Sequence, residues 1–83
     1  MRTMLDIAID FVYKEEHESA FEFNEIFEVV EDELRGYWIQ NLVNDDLPYV
    51  KLREKKIGEL YRLLTVDGRF IRNNNGTWSP SNK

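Results

Sequence analysis

The sequence predicts an α+β fold: three main helices plus a short extra helix and a small three-stranded antiparallel sheet, most of which is a terminal hairpin. Three observations carry this. Apolar residues recur at helical spacing over 23–34 and again over 57–64. Asn75-Gly76 marks a tight turn between two short runs suited to strands. The chain has 83 residues, enough for one hydrophobic core and not for two. With 42% hydrophobic and 13% aromatic residues, it has the apolar anchors that a disordered segment lacks.

The first helix is expected over 4–13. Thr3 followed by Asp6 is an N-cap with an acid three residues on, and the segment behind it contains no Gly or Pro. Met4, Leu5, Ile7, Ala8, Ile9, Phe11 and Val12 occupy most of its circumference and leave only Asp6 and Asp10 as a polar stripe. Such a helix is covered on more than one side. After a charged break at Lys14–Glu18, Ser19–Glu22 has the length and flanks of a small edge strand.

Helix two is expected to start at Phe23. Phe23, Ile26, Phe27, Val30 and Leu34 form its buried stripe, and Glu25, Glu28, Glu31 and Asp32 its outer face. Arg35 and Gly36 read as a last-turn cation and a stop. Trp38, Ile39, Leu42 and Val43 then fit a separate short helix, which Asn44–Pro48 leaves as a loop. The last helix is expected from about Lys51 to Thr65, with Ile57, Leu60, Tyr61 and Leu64 inward and Lys55, Glu59 and Arg62 outward.

Val66-Asp67-Gly68 turns the chain, with Gly68 expected at positive φ and Asp67 accepting turn hydrogen bonds. Arg69–Arg72 and Thr77–Ser79 are the hairpin strands, joined by a type I′ turn at Asn75-Gly76. Phe70 and Trp78 are expected in the core, and Pro80 is expected to end the pairing. Helix, short strand, helix, short helix, helix and hairpin is the order of a winged helix-turn-helix. The domain is therefore expected over 1–79, with 80–83 a disordered tail.

The net charge of −5 hides an asymmetry. Residues 1–50 hold three Lys/Arg against thirteen Asp/Glu, and residues 51–83 hold eight against three. A molecule with an acidic and a basic side orients in the field of a charged partner. Its overall acidity opposes strong unaided DNA binding, which draws most of its affinity from neutralised phosphates.

The run Ile57-Gly58-Glu59-Leu60-Tyr61-Arg62-Leu63-Leu64-Thr65-Val66-Asp67-Gly68-Arg69-Phe70, closed by Trp78, resembles the delta subunit of bacterial DNA-directed RNA polymerase and, more broadly, a HARE-type helix-turn-helix domain. Met4-Leu5-Asp6-Ile7-Ala8 and Phe23-Asn24-Glu25-Ile26 are similar to that family's first helix and to the helix after its strand, so the resemblance spans most of 4–78. It implies a non-catalytic, cytoplasmic accessory subunit. Such a subunit docks on core RNA polymerase and modulates transcription initiation, nucleic-acid release and recycling. The family's long acidic tail has no matched residues in this sequence, and activity that needs it is not carried over.

The chemistry-bearing residues agree with a binding protein. There is no cysteine, and the single histidine, His17, sits in a run of glutamates without a second ligand, so neither metal nor thiol chemistry is expected. Ser19, Ser79 and Ser81 lack a histidine base, and no phosphate-cradling glycine loop occurs. The chain is expected to be no enzyme, to need no cofactor or small-molecule substrate, and to avoid membranes. Lys51, Arg53, Lys55, Arg62, Arg69 and Arg72 are the candidate partner or nucleic-acid contacts, Arg69 foremost. The outward face of the last helix has three readings: an ion-pair face in which Glu59 pairs with Lys55 and Arg62, a polymerase contact, or a weak nucleic-acid contact. Asp67, Gly68, Phe70 and Trp78 are read as the structural motif of the hairpin. Self-association through Trp38 and the extra helix is a further alternative.

Overall fold

The computed structural model describes residues 1–81 and is α+β, with three helices, α1 Met4–Lys14, α2 Phe23–Asn41 and α3 Tyr49–Val66, followed by strands β1 Phe70–Arg72 and β2 Trp78–Pro80. Helix α1 starts as its sequence dictates. The Asp6 amide donates to Thr3 Oγ1 at 3.1 Å, and the Thr3 amide donates to the Asp6 carboxylate at 3.2 Å. Met4, Ile7, Ala8 and Val12 are buried, and the helix packs on α2, α3 and β2, so the expected coverage on several sides is present.

Helix α2 does not stop at Gly36. It runs through to Asn41 as one element, and the separate short helix is absent. Trp38 falls four residues after Leu34 and continues the stripe of Ile26, Phe27, Val30 and Leu34 only if the helix persists. Seating that indole in the core outweighs the roughly 1 kcal/mol that a mid-helix glycine costs. Trp38 is thus a core residue stacked on Phe27 with ring centroids 6.3 Å apart. A β-carbon at Gly36 would meet nothing within 4 Å, and its φ is not in the left-handed region. Gly36→Ala is therefore expected to stabilise the fold by about 0.5–1 kcal/mol, measured as a higher thermal midpoint.

Asn44 closes the turn between α2 and α3. Its backbone exchanges two hydrogen bonds of 3.1 Å with Leu47, and its side-chain oxygen accepts from the amides of Asp46 and Leu47. Pro48, with φ −66°, then opens α3 two residues before the expected start. Leu52, Leu60 and Leu64 are buried on α3. Tyr61 is only partly covered, its ring meeting the edge of Trp78 at 5.7 Å and Phe23 at 5.6 Å.

The sheet has two strands, not three. Strands β1 and β2 are antiparallel, with Phe70 opposite Pro80 and Arg72 opposite Trp78. The expected strand at Ser19–Glu22 shrinks to a single bridge in which Phe21 and Trp78 exchange both backbone bonds at 2.8 Å. The ladder has nowhere to go. The next pair on one side would set residue 19 against Pro80, which has no N–H, and on the other would set Phe23, already helical, against the turn residue Gly76. Contrary to expectation, Pro80 lies within β2, and the Ser81 amide donates to the Arg69 carbonyl at 2.9 Å. The tail expected to begin at residue 80 therefore has its first two residues in the fold, while Asn82 and Lys83 lie outside the described residues.

The hairpin turn is also not type I′. Gly76, at φ 88°, is the only positive-φ residue among those described, so Asn75 does not adopt the second left-handed conformation that type I′ requires, and Gly68 is not left-handed either. Instead the Gly76 amide closes a turn on the Asn73 carbonyl, and the Asn73 amide reaches the Thr77 carbonyl. The Asn75 side chain accepts from the Thr77 amide and hydroxyl, which relieves it of the strained geometry. Phe70 and Trp78 are buried as expected, Trp78 at the junction of α1, Phe21 and α3.

Candidate functional site

The six predicted contact residues separate into three kinds. Lys51, Lys55 and Arg62 lie at i, i+4 and i+11 on the outer face of α3, with Gly58 between them at i+7. All three are exposed, and none forms an ion pair among the described residues. The row extends about 16 Å at 1.5 Å per residue. The expected pairing of Glu59 with Lys55 and Arg62 is not what forms. Glu59 instead takes the ammonium of Lys56 at 3.1 Å, on the flank of α3 that covers the Trp38 ring. The basic stripe is left without neutralisation, and Gly58 leaves its centre open, with nothing within 4 Å of a β-carbon built there.

Arg53 is different. It leans inward, its Nε 2.8 Å from Glu31 of α2 and its guanidinium 5.1 Å over the Phe27 ring. Glu31 also accepts the hydroxyl hydrogen bond of Tyr49. Burial alone pushes the Glu31 carboxyl up, but the donors Tyr49 and Arg53 outweigh it and hold the group below its ordinary range. The Tyr49 hydroxyl, desolvated and facing that carboxylate, is pushed up to about 12. Arg35 stacks on the other side at 5.3 Å from the Tyr49 ring. Arg53 is thus a fastener between α2 and α3.

Arg69, expected to be the foremost contact, is held by its own turn. Its Nε and terminal nitrogen donate to both oxygens of Asp67 at 2.9 and 2.8 Å, and its amide donates to Asp67 as well. These bonds hold the Asp67 carboxyl at about 2. The turn function expected of Asp67 is present, and it is what occupies Arg69. Arg72 is exposed on β1, with its guanidinium 5.7 Å from the Tyr61 ring, so the hairpin brings a further cation to the side of α3.

On the opposite helix, Glu25, Glu28 and Asp32 follow one another along α2 beside Val29 and Phe11, bordering a shallow groove between α1 and α2. The two charge halves meet along the seam of α2 and α3, where Glu28, Glu31 and Asp32 border one hollow with Arg35 and Arg53. Of the six ion pairs among the described residues, Glu31–Arg53 alone joins residues 1–50 to residues 51–81. Arg2 closes on Glu33 and on Asp10 (3.1 Å), and Lys14 on Asp10 (3.0 Å), all within the acidic half.

His17 is exposed, and its amide donates to the Glu15 carboxylate. Among the described residues, no group of three or more His, Cys, Asp or Glu side chains is arranged to hold a metal ion, and no helix is long and apolar enough to cross a membrane.

Sequence reasoning missed the Glu31–Tyr49–Arg53 cluster and the Lys56–Trp38 contact. Both follow once α3 is started at Tyr49, which sets Tyr49 and Arg53 four residues apart on one face, and once α2 is carried past Gly36. No family model matches the sequence, and the comparisons with curated proteins and with solved structures return no match.

Proposed function

We propose that this chain is a non-catalytic winged-helix module, similar to the RNA polymerase delta subunit, that docks on core RNA polymerase and modulates initiation, nucleic-acid release and recycling. Three helices, a one-residue bridge before α2 and a terminal hairpin support the winged-helix reading of the α+β fold. The observation that carries the docking reading is a pair of charged rows on neighbouring helices. An unpaired row of Lys51, Lys55 and Arg62 lies on α3, and an acidic row of Glu25, Glu28 and Asp32 lies on α2. A body that carries one row of each sign fits a large partner that presents both signs, and it is turned by that partner's field before contact.

The test is co-elution of the wild-type chain with purified core RNA polymerase at about 50 mM salt, beside the triple variant Lys51→Glu, Lys55→Glu, Arg62→Glu. Wild type is expected to co-elute, and the variant to bind at least about tenfold more weakly, since rim charges act mainly on association rate and salt dependence. No co-elution of the wild-type chain removes the reading.

One observation favours a second reading, duplex DNA binding through the same stripe. Glu59 has turned to Lys56, so the carboxylate that would have repelled phosphate is neutralised. If Lys51, Lys55, Arg62 and Arg72 each met one phosphate, affinity would fall roughly 150-fold between 50 and 200 mM salt, from a slope of about −0.9 per phosphate. A salt response that is flat excludes this reading.

A further inference from the structure

A cleft of about 480 Å³ lies where the start of α1 meets the second half of α2 and the flank of α3. Met4, Leu5, Leu34, Trp38, Leu42 and Leu63 form its walls. It is distinct from the basic stripe. Lys56 and Leu63, its contributions from α3, project roughly 100° around the helix from Lys51, Lys55 and Arg62, at 100° per residue. Two further residues at its mouth, Met1 and Tyr37, stay largely in water, 82% and 44% exposed. Apolar side chains gathered in this way around an open mouth have the form of a groove that receives another helix.

The charged side chains that line the cleft are both cations, each already paired to carboxylates just outside the lining. Its lining contains two ionisable side chains of ordinary charge, Arg2 and Lys56, and no carboxylate. Arg2 is fully engaged by Asp10 and Glu33 and forms a fixed wall. Lys56 is not saturated. Its side chain is only 18% exposed, its ammonium stands 5.7 Å from the Trp38 ring, and a single carboxylate, Glu59, accepts from it. An ammonium has three donors, so two remain for an arriving acceptor in surroundings where a charge-assisted bond is stronger than in water. A cationic partner would instead find no carboxylate in the lining to pair with and no acceptor to offer the remaining Lys56 donors.

We propose that this cleft is a docking groove for an acidic amphipathic helix of a partner protein. Apolar side chains of the partner fill the space between Met4, Trp38 and Leu63, and a carboxylate beside them reaches Lys56.

The experiment uses two synthetic helical peptides with the same leucine stripe at i, i+3, i+4 and i+7, one flanked by glutamates and the other by lysines. The readout must be local, because the lysine peptide has Glu25, Glu28 and Asp32 available elsewhere. Nuclear magnetic resonance of the Trp38 indole N–H and of the Met1 and Met4 methyl groups provides it, in about 150 mM salt to screen the net charge. The glutamate peptide is expected to shift these signals saturably and about tenfold more tightly than the lysine peptide does at the same signals. In Lys56→Met, which keeps the apolar volume, that preference is expected to fall to within about threefold. Leu63→Glu, which sets a carboxylate in the cleft, is expected to abolish the response to the glutamate peptide. Thermal melts of both variants establish that they remain folded. Equal responses to the two peptides, no saturable shift with the glutamate peptide, or an unchanged preference in Lys56→Met would overturn the proposal. None of these outcomes bears on the stripe of α3, so the two surfaces stand or fall separately.

Discussion

Replacing Trp78 by alanine is expected to remove about 3–5 kcal/mol of stability, the usual loss when a buried Trp or Phe is cut back to a methyl group. An 83-residue domain has a total of about 4–12 kcal/mol to lose. The indole is almost wholly buried, forms a T-shaped pair with Tyr61, and sits on the residue whose backbone closes both bonds with Phe21. Its removal opens a cavity where α1, α3 and the hairpin meet, and it loosens the only attachment of the segment before α2 to the sheet. The thermal midpoint, followed by circular dichroism, is expected to fall by roughly 15–30 °C, given about 4–8 °C per kcal/mol for a domain of this size. A fall of under about 5 °C would show that the hairpin unfolds apart from the helices.

Glu31→Gln is expected to have the next largest effect, a loss of about 2 kcal/mol at neutral pH. The glutamine still accepts the Tyr49 hydroxyl but leaves Arg53, stacked on Phe27, without its counter-charge. The pH dependence has a defined sign. Glu31 is held below its ordinary value in the folded state, so it contributes stability that is fully present above the ordinary glutamate pKa. The difference between wild type and variant should be complete above about pH 5 and shrink as pH falls through about 4.3 and on through the lower folded value. Paired urea titrations at pH 7 and at pH 3 measure it, and a difference that is equal at the two pH values would mean that the ion pair contributes nothing.

Where one local signal was aligned with the tertiary demand, the structure was readable in advance. Thr3 and Asp6 cap α1 because the box needs only four adjacent residues. Ile26, Phe27, Val30 and Leu34 are buried because one periodicity runs uninterrupted through them. The misreadings came where a local preference met a larger packing term. Gly36 is a weak helix former, yet Trp38 lies beyond it with a place in the core. Asn75-Gly76 favours a type I′ turn, yet the Asn75 side chain found acceptable bonds without a left-handed backbone. Ser19–Glu22 had strand character, and the obstacle lay across the sheet at Pro80.

The candidate surface was legible as composition and not as geometry. Counting cations located the basic half, and periodicity put Lys55 and Arg62 on its outer face. Which of the six contacts remain available depended on partners distant in sequence or on the choice between neighbouring acids. Arg53 is taken by Glu31, twenty-two residues away, and Arg69 by Asp67, two residues away. Glu59 pairs with Lys56, which also lies over Trp38, and not with Lys55, four residues back, or Arg62, three residues on. Spacing alone does not rank such choices.

The contact between Phe21 and Trp78 also joins residues 57 positions apart in the chain, so a long loop must close before this seam can form. All three helices precede Trp78 in the chain, and without its indole Phe21 is left with Phe11 and Tyr61 with Phe23 as ring neighbours. Aromatic surface left uncovered before the hairpin closes makes a partly folded chain prone to association. A seam this distant in sequence is expected to form late, so changes in the hairpin should act mainly by hastening unfolding and leave the early collapse of the helices at its usual speed.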